Sequence, residues 1–204
     1  DYKGGARISA IAFGIGQYGY VGTGYNGNYQ KDFYRFDPQA AAGQQWEIVN
    51  GFGGQKRQGG TSFVIDDKAY ICCGVNNGSY VYDFWCFDPS TGVFTQLRDI
   101  ADTSDDDYDD DYTSIVRANA VSFVIDGKGY LVTGEYGSLL SNYWIYDPAT
   151  DLWEGEDLTA FEGSVRKNAV AFSTGTRGFV VTGQASSSYY DDTWELSPYE
   201  YEEE

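Results

Sequence analysis

The sequence of 204 residues contains no histidine, and this absence excludes several kinds of catalytic site. A Ser-His-Asp triad, a zinc ion held by histidine and a histidine pH switch all need an imidazole ring. The sequence also has no methionine and only 4 prolines. Because even an initiator methionine is lacking, we expect a processed chain, a fragment or a trimmed form, with part of the protein upstream of Asp1.

Cysteine is scarce as well, with three residues that allow at most one internal disulfide. Cys72 and Cys73 fall on one predicted strand and Cys86 on the next, so a pairing is conceivable, but buried packing thiols are more common. A catalytic cysteine is not expected, because no histidine is present to activate it.

Basic residues are few, and 13 Lys and Arg against 31 Asp and Glu give a formal charge of -18. Nucleic acid is therefore not expected as a partner, since its phosphates need a basic surface. The acidic excess is concentrated in seven aspartates between Asp102 and Asp111 and in four C-terminal glutamates, and the remaining chain is only mildly acidic.

Long apolar segments are missing too. No run approaches the roughly 18 residues of a membrane-spanning helix, so no transmembrane segment is predicted. The first residues do not have the pattern of a signal peptide, and a lipid anchor upstream of the chain remains an open alternative.

What the sequence does contain is a repeat of about 50 residues, rich in glycine and tyrosine. Each copy has an aromatic anchor, an arginine thirteen residues before it and a glycine four residues after it. The anchors are Tyr20, Tyr70, Tyr130 and Phe179, the arginines are Arg7, Arg57, Arg117 and Arg166, and the glycines are Gly24, Gly74, Gly134 and Gly183. The repeats cover approximately residues 7–49, 57–97, 117–158 and 166–198, with an acidic insertion at 102–113.

Each repeat has the pattern of four short strands, which is clearest in the third copy. There the strands are predicted at 118–124, 130–133 and 143–146 and from Trp153 onward, with a tight turn at Asp126-Gly127. The fourth copy stops after Leu196 without an outer strand. Since no segment shows a sustained helical period, the sequence predicts an all-β chain of radially packed blades, a β-propeller.

The pattern R-x-x-A, Y-x-x-x-G, F-D-P and W, best preserved at 117–153, resembles the kelch repeat. The resemblance covers essentially the whole chain and implies one kelch-type β-propeller domain over 1–204, with four repeats of four-stranded antiparallel blades. Kelch propellers usually have six or seven blades, so we expect part of a larger propeller. The alternative is an unusually small propeller with an incomplete blade. The usual Gly-Gly pair is replaced by Thr-Gly or Cys-Gly, which resembles exported bacterial kelch proteins and implies an extracellular, cell-surface or periplasmic location.

The four repeated arginines have two interpretations. In kelch domains they stand near the start of the innermost strand, so the resemblance implies that Arg7, Arg57, Arg117 and Arg166 converge near one mouth of the central channel. Hydrogen bonding to carbonyl groups of neighbouring blades is the favoured role, and an anion-binding cluster is the alternative.

The connections between the second and third strands are rich in Tyr, Ser, Gly and Asn, as binding loops often are. They lie at the same end of the blades as the arginines, because strands alternate in direction. The candidate binding residues there are Tyr25, Tyr29, Tyr80, Tyr82, Tyr136, Tyr189 and Tyr190. The alternative is that these tyrosines only cover blade edges.

Two further motifs are similar to cofactor-binding sequences, one for calcium and one for a dinucleotide, but neither has the full pattern. Asp105, Asp107 and Asp109 form a weak calcium candidate, but the EF-hand pattern fails at Asp110 and Val116, and a mobile, solvated loop on the tyrosine-rich face is the main expectation. The G-x-G-x-x-G sequence at 14–19 is interpreted as a turn, since no helix follows it. No cofactor is therefore predicted.

The function favoured by these features is a non-enzymatic binding propeller, exported or surface-attached, that engages a protein or a glycan. One alternative is a sugar mutarotase or epimerase of the kelch type with Glu135 as a base. Another is a structural subunit of an envelope assembly. The copper oxidase chemistry of kelch-like galactose oxidase is excluded by the lack of histidine.

Overall fold

A computed structural model describes residues 1–155 and 158–196 of the chain, and within these residues all regular secondary structure is β. The first blade contains β1 (Ile11–Ile15), β2 (Tyr18–Gly22), β3 (Phe33–Phe36) and β4 (Trp46–Val49). The second repeat contains β5 (Thr61–Ile65), β6 (Lys68–Cys72), β7 (Val75–Asn76), β8 (Ser79–Tyr80), β9 (Trp85–Asp88) and β10 (Val93–Gln96).

The last two repeats follow the same order. The third contains β11 (Val121–Ile125), β12 (Lys128–Val132), β13 (Glu135–Tyr136), β14 (Ser138–Leu139), β15 (Tyr143–Asp147) and β16 (Leu152–Glu154). The fourth contains β17 (Val170–Ser173), β18 (Gly178–Val181), β19 (Gln184–Ala185), β20 (Ser188–Tyr189) and β21 (Thr193–Leu196). The predicted fourth repeat extends to residue 198, and its last two residues lie outside the described part.

The strands form four antiparallel blades around a common axis. The blade sheets have the orders β1-β2-β3-β4, β5-β6-β9-β10, β11-β12-β15-β16 and β17-β18-β21. The first strands pack in series, β1 on β5, β5 on β11 and β11 on β17, so they are the innermost. The predicted all-β propeller is confirmed, with three described strands in the fourth blade.

The predicted strands of the third repeat are correct to within a few residues. The first strand begins three residues later than expected, because Asn119 has a φ of 56° and cannot continue an extended strand. The turn at Asp126-Gly127 has φ values of 48° and 76°, as a tight hairpin with two left-handed residues requires. The G-x-G-x-x-G segment spans the turn from β1 to β2, as predicted.

A chain of backbone hydrogen bonds links the blades at the start of their inner strands. Ser9, Gly59, Asn119 and Asn168 hold equivalent positions and all have positive φ. The Gly59 N–H donates to Ser9, the Asn119 N–H to Gly59 and the Asn168 N–H to Asn119, at 2.8 to 3.0 Å. The left-handed conformation therefore turns each backbone toward the preceding blade.

The Thr-Gly and Cys-Gly pairs provide a second link between blades. In each pair both residues have positive φ, and a Cβ on Gly24 or Gly74 would lie 2.8 or 2.7 Å from a backbone carbonyl oxygen. The second residue of the pair therefore has to be glycine. Its N–H donates to the arginine carbonyl of the next blade, as from Gly24 to Arg57 at 2.8 Å.

The core lies between the blades and consists largely of aromatic rings. Phe63 stacks on Tyr70 of its own blade with ring centroids 5.3 Å apart and contacts Tyr146 and Trp153 of the third blade. The space for the Phe63 ring exists because Gly129 has no side chain: a Cβ there would lie 2.3 Å from the ring. Gly178 gives the same space to Phe123.

The three cysteines are free, as the packing-thiol interpretation predicted, and Cys72 and Cys73 are fully buried. A hydrogen bond with Cys73 and burial raise the pKa of the Cys72 thiol well above its ordinary value. Burial likewise raises the pKa of Cys86. Within the described residues, no helix has the length and apolarity needed to cross a membrane.

Candidate ligand-binding surface

The connections between the second and third strands form one face of the propeller, defined here as the hairpin face. In the last three repeats these connections contain the short hairpins β7–β8, β13–β14 and β19–β20. In the first repeat the corresponding contact is an isolated bridge between Tyr25 and Tyr29. The sequence predicted loops here, because strands of two residues are too short to show a periodic pattern.

A polar cavity of about 180 Å³ lies between the connections of the first and second blades. Tyr25 and Tyr29 form one side of it, with ring centroids 5.1 Å apart in an edge-on arrangement. The complete lining consists of Tyr25, Gly27, Asn28, Tyr29, Lys56, Asn76 and Asn77. The side-chain oxygen Oδ1 of Asn76 is buried and has no hydrogen-bond partner among the described residues. The cavity therefore offers aromatic surface, amide groups and one ammonium group to a ligand.

A second tyrosine pair joins the hairpins of the second and third blades. The rings of Tyr80 and Tyr136 have centroids 4.6 Å apart, and the Gly137 N–H donates to the Tyr80 hydroxyl at 2.9 Å. Tyr136 is nevertheless 49% exposed. The pair thus connects neighbouring hairpins and leaves one ring open to a partner.

The other three candidate tyrosines lie apart from these pairs. Tyr82 is 41% exposed and Tyr189 is 81% exposed, without a ring contact in the described part of the chain. The ring of Tyr190 packs beneath Arg166, whose Cζ lies 4.4 Å from its centroid. The structure therefore groups Tyr25 with Tyr29 and Tyr80 with Tyr136, and gives Tyr190 a structural contact.

The four arginines lie below the hairpin face, and each binds groups of its own blade. Arg57, Arg117 and Arg166 are 0% exposed. Arg57 donates to the Cys73 carbonyl and to Asp83, and the same pairing recurs as Arg7 with Asp32 and Arg166 with Asp192. Buried guanidinium groups whose donors are already bonded are not available to a ligand. This corrects the hypothesis of an anion-binding cluster and also shifts the predicted contacts from neighbouring blades to the arginine's own blade.

The third blade differs from the others because Asn142 replaces the aspartate, and Arg117 donates to its side-chain and backbone oxygens. Without a carboxylate, burial lowers the pKa of Arg117 to about 10, whereas the hydrogen bond to Asp32 raises the pKa of Arg7. Sequence reasoning missed these partners. The signal was available, since each arginine is followed 25 or 26 residues later by Asp or Asn.

Glu135, the base required by the mutarotase alternative, lies at the start of β13 on the hairpin face. Its carboxylate accepts hydrogen bonds from the Asn119 amide at 2.9 Å and from the Lys167 ammonium at 2.7 and 3.0 Å. The bonds from Lys167 link the third and fourth blades. The structure thus gives Glu135 a bridging role between two blades.

The acidic insertion is packed in part: Asp109 and Tyr112 are buried, whereas the other six aspartates between Asp102 and Asp111 are exposed to solvent. Asp109 is buried and accepts hydrogen bonds from the backbone N–H groups of Thr103 and Ser104 and from the Ser104 hydroxyl. Of the calcium candidates, only Asp109 belongs to the cluster of carboxylates within 4.8 Å of one another, which also includes Asp102 and Asp110. Asp102 and Asp110 are exposed, and a small acidic cluster of this kind does not define a metal site. Asp105 and Asp107 lie outside it.

Comparisons with known proteins agree with this architecture. The sequence model of the Kelch motif family matches residues 56–99, which cover the second blade. No curated protein matches the sequence. A structure titled "Structure of YjhT" is similar in fold, with a TM-score of 0.69 and 18% identity.

The YjhT match covers 95% of this chain but only 66% of the YjhT chain. It is one of 177 matching chains of known structure, so the fold is common and does not by itself assign a function. The kelch motif in the second repeat recurs in register in the other three blades. The described residues form a β-propeller of four blades, and its second blade carries a Kelch motif.

Proposed function

We propose that this protein is a non-enzymatic binding propeller that holds a glycan on its hairpin face. The observation that carries the proposal is the cavity between the first two blades, where Tyr25 and Tyr29 face amide side chains and Lys56. A kelch-type propeller is a rigid scaffold, and its loops are the ordinary place for a binding site.

The chemistry of this cavity favours a ligand with many hydroxyl groups. A sugar ring presents apolar C–H faces that stack on tyrosine and hydroxyl groups that pair with amides. The side-chain amides of Asn28, Asn76 and Asn77 in the lining provide donors and acceptors for sugar hydroxyl groups. The cavity of about 180 Å³ has room for about one monosaccharide ring, so we propose that a terminal sugar is recognised.

The exposed rings of Tyr136 and Tyr189 extend the surface beyond the cavity. They offer contact area for the rest of a glycan or for the protein that carries it. The proposal includes an exported or cell-surface location, because the sequence resembles exported bacterial kelch proteins and glycans are abundant there.

A glycan array with matched variants tests the site. Tyr29→Ala removes one wall of the cavity, and we expect at least about tenfold weaker binding of the best glycan, since an aromatic contact contributes about 0.5–1.5 kcal/mol beyond its buried area. Tyr82→Ala is the control, because Tyr82 is exposed but does not line the cavity. It should bind within about twofold of the wild type.

Two outcomes would contradict the proposal. Equal loss in both variants would mean that the cavity is not the site. If no glycan binds, but a protein captured from cell extract is lost with Tyr136→Ala, the hairpin face is a protein-binding surface instead.

A further inference from the structure

The acidic insertion, which no other repeat contains, forms the wall of a second cavity on the outer part of the third blade. This cavity has a volume of about 330 Å³. Tyr108, Asp111 and Tyr112 of the insertion line one side, and the third blade supplies the other. Cavities of about 300–1,000 Å³ are the usual size of small-molecule sites.

Four of the lining residues are aromatic: Tyr108 and Tyr112 of the insertion, and Trp144 and Trp153 of the third blade. They are held in place by specific contacts. The backbone N–H of Trp153 donates to the Tyr112 hydroxyl at 2.8 Å, and the rings of Tyr112 and Trp144 meet edge-on with centroids 5.9 Å apart. The wall is thus largely preformed.

The charged groups on the lining are mainly negative. Asp111 and Glu154 are exposed carboxylates at the cavity. Lys128, its only basic residue in the described part of the chain, pairs with Asp147 at 3.3 Å. The other aspartates of the insertion add to the negative potential, so an anion is disfavoured here and a cation is favoured.

We propose that this cavity binds a small organic cation of the quaternary ammonium type. Such a cation is poorly hydrated and is attracted to the faces of Trp and Tyr rings, and nearby carboxylates add to the attraction. The insertion already shows this preference within the protein, since the Arg98 guanidinium lies 4.5 Å above the ring centre of Tyr108.

The cavity is separate from the hairpin face. Lys128, Asp147 and Leu152 lie beside the turns that join the first to the second strand and the third to the fourth. Those turns are at the opposite end of the blade from Arg117 and the β13–β14 hairpin. Binding here can therefore succeed or fail independently of glycan binding.

Choline is the probe for this proposal, and 3,3-dimethyl-1-butanol is its uncharged isostere. Two of the five tryptophans of the chain line the cavity, so binding is followed by tryptophan fluorescence and confirmed by calorimetry. We expect saturable choline binding that is at least about tenfold tighter than binding of the isostere. Equal binding of the two compounds would show an apolar pocket without cation selectivity, and no saturation by either would show that the cavity binds neither; each result overturns the proposal.

Matched variants locate the site. Glu154→Gln and Tyr108→Ala should each weaken choline binding about three- to tenfold, because one removes a carboxylate and the other an aromatic wall. Asp105→Asn is the control, since it removes the same charge from an exposed position of the insertion that does not line the cavity. An Asp105→Asn effect as large as that of Glu154→Gln would show that only the general charge of the insertion matters. Urea unfolding of each variant checks that the fold is retained.

Discussion

The interface between the second and third blades and the outer face of the fourth blade carry equivalent aromatic pairs in the same register. Phe63 lies opposite Tyr70, and Phe172 lies opposite Phe179. Each pair stacks, with ring centroids 5.3 and 5.0 Å apart. Phe63 is nevertheless 3% exposed and Phe172 is 51% exposed. Tyr146 and Trp153 of the next blade contact Phe63, and no equivalent ring contact covers Phe172 among the described residues.

The opposite face of each blade shows the complementary contrast. Gly129 leaves the space that the Phe63 ring fills, whereas a Cβ on the equivalent Gly19 of the first blade would meet only the Cβ of Phe36, at 3.8 Å. The first and fourth blades therefore present the two halves of a blade interface that is complete elsewhere. A strand sequence in this fold specifies a surface, and the next blade decides whether that surface is core.

The largest expected effect is the difference in the free energy of unfolding between alanine variants of Phe63 and Phe172. Phe63→Ala removes a ring from a filled interface and should lower the free energy of unfolding by about 3–5 kcal/mol. Phe172→Ala removes a half-exposed ring and should cost less than about 1.5 kcal/mol. Urea unfolding followed by tryptophan fluorescence measures both. Similar costs for the two variants would mean that the outer face of the fourth blade is covered in solution.

The glycine pair gives the second contrast. Gly129→Ala places a Cβ 2.3 Å from the Phe63 ring and should destabilise the protein by about 1–3 kcal/mol. Gly19→Ala should be neutral or stabilise by up to about 1 kcal/mol, because the site is open and alanine restricts the unfolded chain.

The second blade already has an alanine at the position of Gly129, and this bears on the expected cost of Gly129→Ala. Ala69 holds the equivalent position in the second blade and is fully buried. If Gly129→Ala costs close to zero, the Phe63 ring can move to make room for a Cβ, as the interface that contains Ala69 already does. The difference between the covered and the exposed blade faces would then be supported only by the comparison of Phe63→Ala with Phe172→Ala.

The repeat in the sequence was sufficient to predict the blades, because the spacing of Arg7, Tyr20 and Gly24 recurs with strand-like patterns between them. Strand boundaries near Asn119 were less accurate, since a left-handed conformation at asparagine has no reliable local signal. The partners of the arginines were missed although their spacing recurs, as from Arg57 to Asp83. The packing of the insertion could not be derived, because it depends on a partner distant in sequence, Trp153 for Tyr112.

The smallest expected effect is on the pH dependence of the free energy of unfolding. It distinguishes the buried arginine of the fourth blade from that of the third under acid conditions. The hydrogen bond from Arg166 lowers the pKa of Asp192 to about 2. In the unfolded chain an aspartate titrates near about 3.9, so this pair stabilises the fold fully above that pH and is lost as the pH falls through 4 to 2. Arg117 has the neutral partner Asn142, whose side chain does not titrate.

Asp192→Asn should therefore lower the free energy of unfolding by about 1 kcal/mol at pH 7, a modest value because the carboxylate is 37% exposed and screened by water. The difference between wild type and variant should shrink below pH 4 and be mostly lost by about pH 2, as measured by urea unfolding across that range. A difference that stays constant with pH would mean that the asparagine changes packing rather than charge pairing. Because Asn142 already serves Arg117 in the third blade, the fourth blade of the variant should then acquire the pH-independent behaviour of the third.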